Sequence, residues 1–137
     1  METTALEKAR AYFDRDRYAA MSGFVIESVE GDSATVTCDI RDCHLNAAGT
    51  VMGGVLFAMA DFAFAVGCNA AWLRGSGTRT VAADCHIQFL KAARGGRLTA
   101  RATPLQNGRK LGFYRVEVTD GNNQTIAAMQ CTGCRTE

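Results

Sequence analysis

Between Gly54 and Leu73 the sequence runs GVLFAMADFAFAVGCNAAWL, nearly all apolar, with Asp61 as its single acid. A stretch of about 18–20 apolar residues is long enough to cross a bilayer. An acid at mid-span is costly there, however, and no basic cluster flanks the segment to set an orientation. Small residues (Ala58, Ala60, Ala63, Ala65, Gly67, Ala70, Ala71) instead let neighbours approach closely. A helix apolar all round is a buried helix. The rest of the chain must therefore supply its cover.

What surrounds this segment is mostly strand-like. Residues 4–19 place Leu6, Ala9, Tyr12, Phe13 and Tyr18 at spacings near three and four with charges between, which predicts an amphipathic helix ending at Ser22-Gly23. Phe24–Val29 and Ser33–Ile40 then alternate as two strands, joined by the turn-forming Glu30-Gly31-Asp32. A loop over 41–52 precedes the apolar helix. Four further strand-like runs follow: Thr80–Leu90, Arg97–Pro104, Leu111–Asp120 and Gln124–Cys131. Their separators are short and carry glycine, which predicts an antiparallel meander. A single helix is covered on all sides only if such a sheet curls around it, so the expected class is α+β, one long helix wrapped by a curved antiparallel sheet of about six strands.

The 137 residues, with 15 basic against 14 acidic side chains and 47% hydrophobic residues, bound the function classes. They suit one domain over 1–137, an N-terminal helix over 1–20 and a core over 21–137, with no room for a cofactor domain. A net charge of +1 offers no field for nucleic acid or an anionic membrane. The N-terminal stretch mixes acids with bases and lacks the apolar core of a signal peptide, so a cytoplasmic location is expected. Six cysteines are then expected as free thiols. Cys131-Thr-Gly-Cys134 has a C-x-x-C form, but no second pair accompanies it, and residues three apart in a strand face opposite sides. His44 and His86 lack the spaced partners of a metal site, and no metal is expected.

Chemistry concentrates at the start and middle of the apolar helix. Gly53-Gly54 at its entry leaves first-turn N–H groups unshielded at the positive end of the helix dipole. Such donors suit a carbonyl oxygen that becomes negative, as in acyl transfer. Asp61 costs several kcal/mol in an apolar helix unless paired, roughly, and the sequence offers it no partner three or four residues away. Gly53 and Asp61 are eight residues apart, which along a helix is about 12 Å. A base or nucleophile must come within about 3–3.5 Å of its target. One copy therefore cannot use both on one carbonyl, whereas antiparallel helices across a two-fold axis bring Gly53 of one chain to Asp61 of the other. A homodimer is the simplest assembly that does so.

The run HLNAAGTVMGGVLFAMADFAFAVGCN resembles the signature of hotdog-fold acyl-CoA thioesterases of the phenylacetate-degradation type, approximately HLN-x-x-G-x-x-HGG-x-x-x-x-x-x-D. The run Ile87–Ala93, followed by Gly95 and Leu98, is similar to the strand and turn after the helix in that family. The resemblance covers about residues 20–134. It implies the hotdog fold, the Gly53 N–H as oxyanion donor, Asp61 of the partner chain as general base or nucleophile, and Asn46 as the residue that positions the thioester or water. Two places depart from it. The usual histidine before the glycines is Met52, and the strand position that often holds water through Ser or Thr falls on Ala82, with Thr80 two residues away.

An acyl-CoA substrate brings phosphates, for which Lys91, Arg94, Arg109 and Lys110 near strand ends and turns are candidates. Gly54, His44, Met52, Thr80 and Ala82 complete the substrate-binding candidates, and Phe57, Phe62, Phe64 and Trp72 those for an acyl pocket. The expectation is hydrolysis of a small or aromatic acyl-CoA to acid and free CoA, with no cofactor beyond that substrate and a homodimer, pairing further into a tetramer, as the assembly. The alternatives are a non-catalytic acyl-CoA-binding protein and an enoyl-CoA hydratase, which needs an Asp–His pair and has only His44 near the site.

Overall fold

The computed structural model describes residues 3–137. Helix α1 (Ala5–Phe13) starts at Thr4, whose hydroxyl accepts the Glu7 N–H at 3.1 Å. The single helix expected over 4–19 is in fact two. Asp16 accepts the Ala19 N–H at 3.0 Å and so caps a second helix, α2 (Arg17–Ser22), which ends at Gly23 in the left-handed region. An Asp side chain that bonds the backbone ahead of it starts a helix better than it continues one.

The strands are β1 (Val25–Glu30), β2 (Ser33–Asp39), β3 (Thr80–Phe89), β4 (Arg97–Asn107), β5 (Leu111–Thr119) and β6 (Thr125–Arg135), all antiparallel in one six-stranded sheet. The order β1-β2-β4-β5-β6-β3 corrects the expected meander: β3 pairs with β6 at the sheet edge, not with β4. The connection after β3 is not a hairpin. It crosses the start of the central helix, where Ala93 O accepts the Val51 N–H at 2.7 Å and Gly96 O the Ile40 N–H at 2.9 Å. That crossing brings Phe89–Ala93 to the helix entry.

The central helix α3 (Gly53–Cys68) lies on the concave face of the sheet, with Met59, Ala60, Ala63, Phe64 and Val66 buried against Val36, Leu98, Ala100, Ala102, Tyr114, Val116 and Ile126. Alanines on the sheet let the helix approach. At Gly67 the approach leaves no room for a side chain, since a Cβ there would stand 2.9 Å from Asp32 O. The cover is incomplete, contrary to the all-round burial expected. Gly54, Phe57, Ala58, Asp61 and Ala65 keep solvent exposure, and their spacing of three and four marks one open stripe along the helix.

The helix also stops earlier than Leu73, and a short turn α4 (Ala70–Leu73) follows Asn69. Asn69 is buried; its Oδ1 accepts the Thr80 N–H at 2.7 Å and its Nδ2 donates to Thr80 O at 3.1 Å and Ala65 O at 2.9 Å. One amide thus satisfies both backbone groups where edge strand β3 begins. Asn69→Ala should lower stability by about 2–3 kcal/mol, because it strands those groups without water. A urea unfolding midpoint equal to wild type would refute this role.

Candidate active site

The loop before α3 is built by two side chains. His44 is 3% exposed; its Nδ1 accepts the Arg41 N–H at 2.9 Å, and its Nε2 lies 2.8 Å from Ser22 O, to which it donates. Both ring nitrogens are engaged, so His44 ties the loop to the end of α2 instead of lining the site. Neither nitrogen is left for the Asp–His pair of a hydratase. Asn46 Oδ1 accepts the Ala48 N–H at 3.0 Å, the Thr50 N–H at 3.1 Å and the Thr50 hydroxyl at 3.2 Å. This holds the loop's shape and leaves the Asn46 Nδ2 as its uncommitted polar group.

That loop delivers the entry of α3. The Met52 C=O accepts the Val55 and Leu56 N–H groups, while among the described residues the N–H groups of Gly53 and Gly54 have no acceptor. The Phe89 ring crowds residue 53: a Cβ there would lie 3.1 Å from its Cζ, so the ring would have to shift for a side chain. Gly54 faces only the movable tip of Met52, 2.9 Å from a built Cβ. A groove of about 410 Å³ opens here, lined by Thr50, Gly53, Leu56, Phe89 and Lys91 among others. Lys91 borders it with its Nζ on Gln124 Oε1, and Arg94 is exposed on the same crossing loop.

Other candidates are placed elsewhere. Thr80 is 4% exposed and its hydroxyl accepts Arg135 Nη1 at 2.6 Å, at the Asn69 end of α3. It serves the fold there, away from the Gly53 entry. Ala82 is exposed on β3 at an irregularity in the pairing with β6. Arg109 and Lys110 are in the β4–β5 turn, where Lys110 O accepts the Arg135 N–H; within one chain that is the opposite end of the sheet from Lys91. Phe64 is 1% exposed and stacks edge-on to Tyr114 at 5.3 Å, which makes it core. His86 is exposed on the outer sheet face.

Asp61 is half-buried on the open stripe, and no side-chain or backbone donor among the described residues reaches it. Burial pushes its carboxyl above the usual range, and the charge of Asp16 adds to this. Beside it a second groove of about 280 Å³ runs between Phe13, Phe24 and Phe62, bounded by Arg10 and Asp14. The sequence reading missed Phe89, Phe13 and Phe24, because strand alternation and helix spacing do not reveal which aromatics meet across elements. A larger polar depression of about 740 Å³ on the outer sheet face is lined by Arg97, Arg101, Arg115 and Glu117, far from this chemistry; Arg97 and Arg115 are there paired with Asp39 and Glu117. Among the described residues no group of three His, Cys, Asp or Glu side chains could hold a metal, and no helix is long and apolar enough to cross a membrane.

A model of the thioesterase superfamily matches residues 48–127, a span that runs from the loop through Gly53 and Asp61 to β6. The chain belongs to the thioesterase superfamily. This thioesterase is 34% identical over 128 residues to the acyl-coenzyme A thioesterase PaaI of Escherichia coli, covering 93% of this chain and 88% of that one. The structure of E. coli PaaI superposes with a TM-score of 0.87 at 31% identity, covering 98% and 97% of the two chains, so the hotdog fold is common to both. A putative esterase of Deinococcus radiodurans is 39% identical over 113 residues, 82% of this chain and 73% of that one. The smu.793 structure from Streptococcus mutans, bound to acetyl CoA, has a TM-score of 0.75 at 25% identity and covers 82% of this thioesterase and 88% of that chain.

The loop geometry yields a first test. His44→Ala should destabilise by about 2–3 kcal/mol, leaving the Arg41 N–H and Ser22 C=O unpaired. Unchanged denaturant unfolding would refute this structural role of His44.

Proposed function

We propose that this thioesterase hydrolyses a small or aromatic acyl-CoA to the free acid and CoA, with Asp61 as general base or nucleophile and the Gly53 N–H as the oxyanion donor, each from a different subunit of a homodimer. The observation that carries the reading is Asp61: a half-buried carboxylate on an otherwise apolar helix, with no donor and no cation against it among the described residues. A structural carboxylate in such a place finds a partner. One left without a partner is poised to take a proton. The acyl-CoA substrate class is supported by PaaI and by the acetyl CoA bound to the Streptococcus structure.

In the base form, Asp61 takes a proton from water as the water oxygen bonds to the thioester carbon. The carbonyl oxygen becomes negative against the Gly53 N–H, and collapse of the adduct expels the thiolate, which leaves as free CoA thiol once protonated. In the nucleophile form the carboxylate attacks first and water opens the resulting anhydride. Asn46, through its free amide nitrogen, positions the thioester or water. Lys91 and Arg94 hold the CoA phosphates at the groove mouth, and Arg109 and Lys110 are further candidates from the far turn. Met52 replaces a polar contact with a flexible thioether.

Two features support the dimer. The open stripe of α3 that carries Asp61 is a strip of apolar surface needing cover. Next to it, β3 is an edge strand with one row of backbone groups unpaired and with Val81 and Phe89 exposed at 46% and 55%. A second copy, pairing edge to edge about a two-fold axis, covers both and carries Asp61 toward the partner's Gly53. A cytoplasmic location and further pairing into tetramers are part of the same proposal.

The test is thiol release from a panel of acyl-CoA thioesters. Asp61→Asn should slow it by about 10²–10⁴-fold. Its stability at neutral pH should equal or exceed wild type. The sign follows from the raised carboxyl: the folded protein holds that proton more tightly than the unfolded chain, so ionising Asp61 as pH rises opposes folding. The kcat/KM profile should fall on its acid side at a pH above the usual aspartate range. Full activity in the variant would end the proposal, and binding without hydrolysis by wild type would favour a non-catalytic acyl-CoA carrier.

A further inference from the structure

We propose that Gln124, at the end of the β5–β6 turn, is a positioning residue for Lys91: its amide oxygen holds the ammonium in place at the groove mouth, where it anchors a CoA phosphate. This inference rests on the reading of Lys91 as a phosphate ligand and adds a residue from outside the loop, the crossing and the central helix.

The groove at the entry of α3 combines three kinds of surface. Gly53 supplies an N–H without an acceptor, Phe89 and Leu90 supply an apolar wall, and Lys91 supplies a cation. The wall and the cation are three consecutive residues, and the Phe89 ring crowds Gly53, so the wall begins at the donor and ends at the charge. A thioester carbonyl, a pantetheine arm and a phosphate present the complementary groups in that order. Recognition of the carrier then depends on where the Lys91 ammonium is held.

Both partners stand on fixed backbone. The Leu90 and Lys91 N–H groups donate to Ile126 O at 2.8 and 3.2 Å, which ties the start of the crossing to the start of β6. The turn from Asp120 to Gln124 is closed by the Asp120 N–H on Gln124 O at 3.0 Å, and Asp120 Oδ1 accepts the Asn122 and Gln124 N–H groups at 2.9 and 3.0 Å. From these two supports Lys91 Nζ donates to Gln124 Oε1. An ammonium has only donors, so the amide turns its oxygen toward it. A free lysine side chain loses rotamer freedom when it binds a ligand. The bond to Gln124 removes part of that loss before substrate arrives. A neutral amide does so without cancelling the charge, whereas Glu117 pairs with Arg115 at 2.8 Å and does cancel it. Two of the three Lys91 donors stay available. All of these contacts lie within one chain, so they are kept whichever chain supplies Asp61.

The experiment measures hydrolysis of one acyl group on two carriers, CoA and the phosphate-free thiol N-acetylcysteamine, by wild type, Gln124→Met, Gln124→Glu, Lys91→Met and the Gln124→Met, Lys91→Met double variant. Gln124→Met keeps the length of the side chain and removes the acceptor. It should raise KM for the acyl-CoA about three- to tenfold with kcat unchanged, and leave kcat/KM for the N-acetylcysteamine thioester as in wild type. Gln124→Glu should raise the acyl-CoA KM further, because its carboxylate neutralises Lys91 and repels phosphate. In the Lys91→Met background, Gln124→Met should add nothing. An equal loss on both carriers, an unchanged acyl-CoA KM, or a full effect of Gln124→Met without Lys91 overturns the inference. The two levels of the argument separate cleanly. If Lys91→Met leaves the acyl-CoA KM unchanged, the phosphate reading of Lys91 itself fails. If Lys91→Met raises it and Gln124→Met does not, only the role of Gln124 is lost.

Discussion

A sixteen-residue helix with apolar residues on nearly every side cannot rest on a flat surface. It has to be wrapped, and the sheet curls because it wraps it. Small side chains set how closely the layers meet: alanines on β2, β4 and β6 face the helix, and Gly67 passes the β1–β2 turn where no Cβ fits. Burying one Val, Leu, Ile, Phe or Met side chain is worth about 1.5–3 kcal/mol, so this helix and its bed supply much of what opposes chain entropy. The same arrangement decides where the wrapping ends. Six strands cover the helix except for one stripe, and the only acid of the helix is on that stripe.

The site follows from the two places where the helix is not covered by its own sheet. At its entry, first-turn N–H groups lack acceptors by helix geometry, and the crossing from β3 to β4 borders them with the side chains of Phe89 and Lys91, neither of which can accept a hydrogen bond. At its middle, Asp61 is half-buried on the open stripe, and no donor among the described residues reaches it. The proposed chemistry uses what each place lacks. Unpaired donors wait for an oxyanion, and an unpaired carboxylate waits for a proton. Neither is a stabilising feature of the folded chain, and the burial of the helix around them offsets their presence.

Much of this was legible in the residues. The apolar run demanded a sheet around it, the alternating segments supplied six strands, and the isolation of Asp61 and the glycine pair were visible without coordinates. What escaped was decided by contacts between segments distant in sequence. Short glycine-bearing separators argued for a meander, yet β3 pairs with β6, because the crossing after β3 has to close over the helix entry. His44 and Thr80 looked like ligand contacts, and their polar atoms are instead consumed by Ser22, Arg41 and Arg135. Asn69 was hidden in the apolar run, although an amide at that point ends the helix and holds the edge strand. Asp16 was read as part of a continuous amphipathic helix, since capping by its own side chain leaves the spacing of apolar residues almost unchanged.

The central claim is that a complete site takes Gly53 from one chain and Asp61 from another, and subunit mixing tests it most directly. Asp61→Asn and a second inactive variant with a bulky residue at Gly53 are purified, mixed after dissociation and allowed to reassociate. Half of the dimers formed at random are mixed, and each mixed dimer carries one site with both defects and one with none. The account therefore predicts recovery of about one quarter of wild-type activity from two inactive parents. Mixed dimers that form but remain as inactive as their parents would place both residues in the same chain's site and contradict it.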